Sequence, residues 1–258
     1  MMRNALTIAG KELSSYFVQP VAYVVLTVFV LLAGWFFFAL LKQFSEMVQV
    51  YSAMSNAQAL EHLNLNARVI EPLLHNMSVV MVILVPAITM RAFAEEKRTG
   101  TYEFLLTAPI RTGEIVAGKF IAAAVFILIM VALIWIFPII LMVFGDPEVG
   151  VMGAGYVALA LLGVCFVAIG LFTSSLTQNQ IIAAISCLGV LLLLYVISWP
   201  LQTGGGILGD LLRYLSLPQH FGQMVGGVID TSDIVYFCTM IFVALFLTQR
   251  SVESARWR

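Results

Sequence analysis

Six apolar runs, which we interpret as membrane-spanning helices, constrain this chain more than any other feature of its sequence. They cover residues 20–41, 72–90, 115–144, 151–172, 181–199 and 233–248. The first run has 22 residues, and at about 1.5 Å per residue it reaches roughly 33 Å, enough to cross a hydrocarbon core of about 30 Å. Because lipid cannot hydrogen-bond to backbone groups, such runs fold as helices. The sequence therefore predicts an all-α membrane protein.

The composition agrees with this interpretation. Hydrophobic residues make up 61% of the 258 residues and charged residues 10%, whereas soluble domains carry about 45–50% apolar and about 25% charged residues. The runs are spread evenly, so we expect residues 1–258 to form a single transmembrane domain. The first run is longer than the apolar part of a signal peptide, about 7–15 residues, and no small-residue cleavage site follows it closely. We therefore expect it to be retained.

An amphipathic helix is predicted before the first run, over residues 1–19. Leu6, Ala9, Leu13 and Phe17 recur at near-helical spacing, with charged residues away from that stripe. Such a helix is expected to lie flat in the membrane interface. The alternative is a solvated start to the first spanning helix.

Lysine and proline positions predict where the runs end or bend. Lys42 is expected to end the first run, and residues 42–71 are interpreted as an ordered but hydrated excursion. Pro72 suits the first turn of the second helix, where its missing N–H costs nothing. Pro86 is expected to kink that helix, and Pro138 to bend the third.

Residues 200–232 combine apolar patches with many glycines and prolines. We expect short broken or re-entrant helices that dip into the membrane edge and turn back, provided that protein covers their backbone. A plain external loop is the alternative. Thr231 or Ser232 is expected to cap the last spanning helix.

The distribution of Lys and Arg predicts the orientation of the chain. Six spans put both termini on one side, and ten of the 13 Lys and Arg residues fall on that side, against three on the other. By the positive-inside rule, both termini and the loop 91–114 are expected to be cytoplasmic. The net charge of −1 argues against nucleic acid as a partner, since nucleic-acid binding needs a clustered basic face.

The sequence also predicts that this chain carries no catalytic residue, no cofactor and no metal. The cores of the six predicted spans contain no Asp, Glu, Lys, Arg or His, which ion-driven transporters usually need. There is no G-x-x-x-x-G-K-[ST] phosphate loop, no HExxH and no G-x-S-x-G turn. His62 and His75 lack partners at metal-ligand spacing. Cys165, Cys187 and Cys238 fall in apolar runs without C-x-x-C spacing and are expected to be small core residues.

A charged segment, Arg91–Lys119, lies between the second and third runs. It holds five of the 13 Lys and Arg and four of the 14 Asp and Glu residues. Thr99 or Thr101 can cap a short helix within it, with Glu103 in the first turn, and Pro109 ends that helix. A compact helix is therefore expected between two spans.

The charged segment leaves two interpretations open. Tyr102, Leu105 and Leu106 would form a small apolar face of the short helix. Thr112 is expected to cap the next helix, with Glu114 in its first turn, and the Lys119 side chain, long and flexible, to extend back to the membrane interface. The segment is either a solvated loop whose charges only enforce topology or a lever that a soluble partner pushes.

The string EEKRTGTYEFLLTAPIRTGEIVAGK, residues 95–119, resembles the loop between the second and third spans of type-2 ABC transporter permeases. An acidic residue, a basic residue, GT, an acidic residue, LL, a Pro and a later GK recur in that loop. The string is most similar to the branch that contains the gliding-motility-associated and nitrous-oxide-reductase-maturation permeases. The likeness extends to the layout of an amphipathic start, six spans and a broken segment before the last span.

This resemblance implies a docking surface and a set of partners. In the family, the loop holds a cytoplasmic coupling helix that docks on a separate ABC ATPase, which binds ATP and Mg²⁺. The implied docking residues are Glu95, Glu96, Arg98, Gly100, Thr101, Glu103, Leu105, Leu106 and Pro109. Six spans per chain imply a homodimer or a paired permease, with membrane lipid and a periplasmic accessory protein as further partners.

The function that this resemblance implies is that of the permease subunit of an ABC exporter in the bacterial inner membrane, which is not itself an enzyme. One alternative is a non-transporting membrane module that relays ATPase motion to a periplasmic or gliding-motility assembly. Another is a passive channel or scaffold without an ATPase.

Overall fold

In a computed structural model, residues 2–54, 63–102, 110–145, 147–197 and 207–256 are described, and within them the chain is helical without strands. The helices are, in chain order, α1 (Met2–Val18), α2 (Pro20–Ala53), α3 (Glu71–Thr89), α4 (Arg91–Thr99), α5 (Thr112–Leu133), α6 (Ile136–Phe144), α7 (Val149–Leu176), α8 (Gln180–Val196), α9 (Ile207–Tyr214), α10 (Leu217–Val225) and α11 (Thr231–Arg256). A π-helical turn, Asn66–Ile70, precedes α3. The all-α prediction is confirmed.

Five helical segments among the described residues are long and apolar enough to cross a membrane. They are Pro20–Ala53, Asn66–Thr99, Thr112–Phe144, Val149–Leu176 and Thr231–Ser254. The sixth predicted span, 181–199, corresponds to the apolar helix α8, which has 17 residues and is shorter than the others. Residues 198–199 of that prediction lie outside the described residues. The described residues therefore contain five helical segments able to span a membrane and a shorter sixth candidate, as a multi-pass membrane protein requires.

Helix α2, which contains the first predicted span, is longer than its apolar run. Lys42 ends the run, but α2 continues to Ala53, so the expectation that the helix stops at Lys42 is wrong. Residues 42–53 contain no Gly or Pro to interrupt the helix. Lys42 Nζ lies 3.8 Å from Glu46 Oε1 one turn later, both side chains being exposed. The start of the predicted hydrated excursion is therefore a polar extension of α2.

The two prolines that were predicted to bend helices, Pro86 and Pro138, lie in different surroundings. Met90, between α3 and α4, keeps helical torsions, and its N–H donates to the Pro86 carbonyl over 3.0 Å, so the helical path continues past Pro86. Pro138, in contrast, lies just after the break between α5 and α6. Because proline has no N–H, the carbonyl of Ile134 loses its helical donor. That carbonyl accepts instead from the Phe137 N–H over 3.2 Å and from the Tyr156 hydroxyl over 3.1 Å. The helix is interrupted at residues 134–135, close to the position predicted for the bend.

Helix α7 forms the centre of the bundle and packs against α3, α5, α8, α10 and α11. Two of its glycines allow this. A Cβ atom at Gly163 would lie 2.4 Å from Met81 Cε, and one at Gly170 would lie 2.2 Å from Thr89 Oγ1. Small residues therefore let α3 approach α7 closely, as is common between helices in lipid.

The cysteines follow the core prediction in two of three positions. Cys165 on α7 and Cys187 on α8 are buried, but Cys238 on α11 is exposed. The prediction was wrong at Cys238 because apolar neighbours along the sequence do not show which side of a helix faces the bundle.

Two short helices, α9 and α10, precede the last span, as predicted. Helix α10 packs against α7 and α11, so protein covers part of it. Their re-entry into the membrane stays a prediction. The predicted cap of the last helix is off by one residue, because Asp230 Oδ1 accepts from the Ser232 backbone N–H over 3.2 Å, ahead of Thr231.

Candidate functional site

Lys119, on α5, is the centre of a buried ion-pair cluster. Its side chain is 3% exposed, and its Nζ lies 2.7 Å from Glu12 Oε1 on α1 and 2.7 Å from Glu96 Oε1 on α4. A buried ammonium group is costly unless it is paired, and here two carboxylates pair it. The Lys119 side chain is therefore enclosed by protein, and the expectation that it lies at the level of the membrane interface stays a prediction. The cluster joins α4 and α5 to α1, whose Glu12 is 107 residues from Lys119 in the sequence.

The residue before Lys119 explains how α1 comes so close. A Cβ atom at Gly118 would lie 2.7 Å from Ile8 Cγ2 and 2.9 Å from the Ala5 carbonyl oxygen. Any larger residue would push α1 away from α5. The Gly-Lys pair therefore combines a close helix contact at Gly118 with a charge at Lys119 that binds the neighbouring carboxylates.

The start of α4 is fixed to the end of α7 by Ser174. Its buried hydroxyl oxygen accepts from the backbone N–H groups of Phe93 and Ala94 over 3.1 and 3.2 Å, and donates to the Met90 carbonyl over 3.0 Å. Lys97 Nζ donates to the Ser175 carbonyl. A single serine therefore satisfies backbone groups at the junction of α3 and α4.

The start of α5 is held by the two ends of the chain. Arg111, rather than the predicted Thr112, occupies the cap position, and Glu114 lies in the first turn as predicted. Glu114 Oε2 accepts from Asn4 on α1 over 3.3 Å. Thr112 donates to Glu253 Oε1 on α11 over 3.1 Å. We use the name Lys119 end for the end of the bundle where α1, α4, the start of α5 and the last turns of α7 and α11 meet.

The electrostatics of the Lys119 end reflect partial burial. Burial raises the pKa of Glu96, while the nearby Lys119 charge and its hydrogen bond oppose that rise. Burial lowers the pKa of Lys97. The hydrogen bond from Asn4 is the main reason why the pKa of Glu114, which is partly exposed, is lowered.

The structure divides the residues predicted to dock an ATPase into three groups. Arg98, Gly100 and Thr101 are exposed, and Gly100 ends α4 in a left-handed conformation with φ of 74°. Glu95 is partly buried, and Glu96 faces the bundle, where Lys119 binds it. The remaining predicted docking residues, Glu103, Leu105, Leu106 and Pro109, lie outside the described residues.

Tyr102 does not lie on an exposed apolar face. Its side chain is buried, and Lys97 Nζ lies 5.2 Å from the centroid of its ring. The predicted partners of Tyr102 in that face, Leu105 and Leu106, are outside the described residues. The described part of the segment therefore presents Arg98, Gly100 and Thr101 to solvent.

Sequence reasoning missed Glu12 and Ser174 as members of the site. Glu12 is one of the charged residues away from the apolar stripe of the predicted interfacial helix, and Ser174 follows the fourth predicted run. A signal was present, because Lys119 is the one cation inside the predicted third span and needs a carboxylate from another element. No pattern in the sequence shows which carboxylate supplies it.

A buried histidine–aspartate pair lies near the beginnings of α7 and α11. His220 Nδ1 on α10 lies 2.6 Å from Asp233 Oδ1 on α11, and the Asp233 side chain is 0% exposed. The His220 ring stacks on Tyr236 with centroids 4.0 Å apart, and its Nε2 lies 2.9 Å from the Tyr214 carbonyl. We name this end of the bundle the His220 end. Asp233 is the first residue of the sixth predicted span. Because the sequence analysis considered only ionisable residues in the cores of the spans, it missed this pair.

The comparison with protein families agrees with the layout of the bundle. The family described as ABC-2 family transporter protein matches residues 6–250, which include nearly all of the described helices. No curated protein matches the sequence at a significant level. Proteins of this family are the membrane components of ABC transporters and generally act with an ABC ATPase. The chain therefore belongs to the ABC-2 family of transporter proteins.

Proposed function

We propose that this protein is the permease subunit of an ABC exporter, in which a separate cytoplasmic ATPase binds ATP and Mg²⁺ and drives substrate across the bacterial inner membrane. Membership of the ABC-2 family supports the permease role. The absence of a phosphate-binding loop from the sequence supports a separate ATPase.

The observation that carries the coupling proposal is the binding of Lys119 to both Glu96 and Glu12. We use the name docking segment for the part of the charged segment between Gly100 and Arg111. In the sequence it follows α4 and precedes α5. Lys119 joins those two helices to each other and to α1. Ser174 joins α4 to α7 as well. A partner that displaces the docking segment therefore moves four helices together.

The predicted orientation supports docking from the cytoplasm. The charged segment and both chain ends carry most of the Lys and Arg residues, which the positive-inside rule places on the cytoplasmic side. In this proposal Arg98, Gly100 and Thr101 contact the ATPase together with the predicted Glu103, Leu105, Leu106 and Pro109. Glu96 instead acts from inside the bundle by holding Lys119.

The proposed assembly contains two permease copies, or one copy paired with a related permease, above two ATPase subunits. A six-span subunit provides half of a transport path, which supports a dimer. A periplasmic accessory protein is a further proposed partner, and relay of ATPase motion to a periplasmic or gliding-motility assembly is the alternative to export.

Affinity purification of the full chain in mild detergent tests the proposal. We expect an ABC ATPase to co-purify, and Glu103→Lys or Leu105→Asp to reduce its recovery at least tenfold, because one reverses a charge and the other places a charge in an apolar contact. Glu46→Lys and Val50→Asp make the same changes at exposed positions of α2 and should leave recovery unchanged.

Two results of this experiment would contradict the proposal. One is a purified protein with no nucleotide hydrolase bound. The other is a docking segment that a membrane-impermeant reagent labels from the outside of intact cells at an introduced cysteine, such as Thr101→Cys. Export and mechanical relay are then separated by a substrate assay in vesicles that contain both chains.

A further inference from the structure

His220, on α10, faces a hydrogen-bond acceptor at each of its two ring nitrogens. Nδ1 lies 2.6 Å from Asp233 Oδ1 on α11, and Nε2 lies 2.9 Å from the backbone carbonyl oxygen of Tyr214 on α9. A neutral imidazole has one N–H group, so it can donate to only one of the two acceptors. The arrangement therefore has room for one more proton than a neutral histidine carries.

This extra proton belongs between His220 Nδ1 and Asp233 Oδ1. The Tyr214 carbonyl can only accept, so Nε2 has to carry a hydrogen. Nδ1 of a neutral ring then has a lone pair, and an ionised Asp233 would turn a second lone pair towards it at 2.6 Å. That contact is repulsive. It becomes a strong hydrogen bond when either group takes up one proton.

The surroundings of the pair supply no other hydrogen for Asp233. Its side chain is 0% exposed, and its Oδ2 has no hydrogen-bond partner. The ring of Tyr236 stacks on His220, but the Tyr236 hydroxyl donates to the Leu215 carbonyl over 2.8 Å. An ionised carboxylate that is buried beside a neutral ring is strongly disfavoured. Burial therefore favours the state in which the pair holds the proton.

We propose that His220 and Asp233 form a proton-binding site, and that the pair as a unit holds one proton at neutral pH that the two residues lose when they are separated. In an unfolded chain, a histidine releases its second proton near pH 6.5, and an aspartate is ionised above about pH 4. The folded protein therefore takes up one proton at this site at pH values above about 6.5.

The bound proton connects two short helices to the last span. His220 lies on α10, Tyr214 is the last residue of α9, and Asp233 lies in the first turn of α11. With the proton bound, the His220 ring is hydrogen-bonded to both neighbours, and without it the link to α11 is lost. We therefore expect alkaline pH to release α10 from the start of α11. In the predicted orientation this end of the bundle faces outward, so the proton comes from the external medium.

Other charged or titratable groups lie on the elements around the pair, although in the described part of the chain the ring contacts of His220 are with Tyr214 and Tyr236. They include Asp210 and Arg213 on α9, Asp230 before α11, Cys165 on α7, His75 on α3 and Tyr195 on α8. His75 contacts the ring of Phe221, the residue after His220, with centroids 5.3 Å apart. A test of the proposal therefore has to separate the pair from these groups.

The pH dependence of unfolding tests the proposal, with Asp233→Asn as the reference. The asparagine amide can donate to Nδ1 while Nε2 donates to Tyr214, so both hydrogen bonds form without an extra proton. All other titratable groups are the same in the two proteins. The equilibrium constant for unfolding is measured by chemical denaturation of the purified full-length chain in detergent, without any ATPase, so the result does not depend on the proposed transport function.

The wild type should lose stability with rising pH more steeply than the reference does. Stability from a proton that the folded state holds more tightly is complete below about pH 6.5 and declines as the pH rises. Between pH 7.5 and pH 8.5, we expect the unfolding constant of the wild type to rise about tenfold relative to that of Asp233→Asn, which is the dependence on one proton. His75→Gln is the control for another histidine and should behave as the wild type does.

Hydrogen exchange shows where the protein opens. Over the same pH range, exchange in α10 should speed up about tenfold in the wild type beyond the intrinsic effect of pH on amide exchange. In Asp233→Asn, α10 should follow the intrinsic effect alone. Helix α1, at the opposite end of the bundle, is the internal reference and should be the same in both proteins.

Two outcomes would overturn the proposal. A ratio of unfolding constants that stays the same between pH 7.5 and pH 8.5 would show that the pair holds no extra proton. Loss of the steep pH dependence in His75→Gln would assign the proton to a different histidine. If Asp233→Asn does not fold, the double variant His220→Phe/Asp233→Leu, which has no titratable group at these two positions, becomes the reference with the same expected ratio.

Discussion

The two ends of the bundle each bury a basic side chain against carboxylates, but the two arrangements are built differently. At the Lys119 end, one ammonium group is shared between two carboxylates whose side chains are 24% and 23% exposed, beside a cavity that reaches the surface. At the His220 end, one imidazole faces one carboxylate that is 0% exposed. The first cluster has a second partner and access to water, and the second has neither.

This difference determines what happens when one member is lost. A carboxylate with partial access to water recovers part of its hydration when its partner is removed. A carboxylate that is fully enclosed recovers none, and breaking such a pair typically costs about 3–5 kcal/mol. We therefore expect the Lys119 end to tolerate the loss of one contact better than the His220 end does.

The largest effect is expected from His220→Ala. Asp233 would remain buried without its partner, and its Oδ2 already has no hydrogen bond. We expect a loss of about 3–5 kcal/mol in the free energy of unfolding, measured by chemical denaturation in detergent. The double variant His220→Phe/Asp233→Leu should recover most of this loss, because no charge remains buried. A loss below 1 kcal/mol for His220→Ala would remove the contrast between the two ends.

A smaller effect is expected from Lys119→Met. Glu12 and Glu96 would lose their shared cation, but both retain some access to water, so we expect a loss of about 2 kcal/mol at pH 7. The loss should shrink as the pH falls. The pKa of Glu96 is already raised by burial, and removing Lys119 raises it further. When the pKa of a carboxyl group is higher in the folded state than in the unfolded state, the folded protein is most stable at pH values below the unfolded-state pKa. Its stability declines as the pH rises through the folded-state pKa.

The unfolding midpoint of Lys119→Met, measured at pH 7 and at pH 5, checks this sign. Lys42→Met is the control, because Lys42 is exposed and its pair with Glu46 is 3.8 Å long. Its stability should stay within about 0.5 kcal/mol of the wild type at both pH values. A Lys119→Met protein that becomes less stable at pH 5 than at pH 7 would contradict the assignment of Glu96.

The smallest effect on stability is expected from Ser174→Ala. The variant leaves the backbone N–H groups of Phe93 and Ala94 without an acceptor, and loss of such a cap typically costs about 1 kcal/mol. Its effect on coupling should be larger than its effect on folding, because Ser174 joins α4 to α7. The measurement is stimulation of ATPase activity by the permease. Ser254→Ala, whose exposed hydroxyl bonds only to Ser251 one turn earlier, is the control that should change neither quantity.

The sequence predicted those parts of the fold that depend on local patterns. Apolar runs located the helices because lipid leaves the backbone no alternative to helical hydrogen bonds. The bend near Pro138 and the carboxylate of Glu114 in a first helical turn were also predicted, since both depend on residues close in sequence. The extension of α2 beyond Lys42 was missed, because a change in polarity does not itself end a helix.

The site depended on contacts that no local pattern contains. Lys119 and Glu12 are 107 residues apart. From the sequence, the long side chain of Lys119 was predicted only to extend towards the membrane interface, and no partner was predicted for it. His220 and Asp233 are close in sequence, but the turn that brings them together depends on how α10 packs against α7 and α11. The docking residues between Glu103 and Pro109 stay a prediction.

The three hydrogen bonds of Ser174 have a consequence for how the protein can move. They attach the α3–α4 junction to the last turn of the central helix, so sliding of α3 along α7 would break several bonds at once, and Thr89 beside Gly170 leaves no clearance for it. Large conformational changes occur by sliding of packed helices or by rotation of rigid bodies. Because these contacts oppose sliding of α3 along α7, we expect a displacement of α4 to rotate α3, α4 and α7 together as one rigid body.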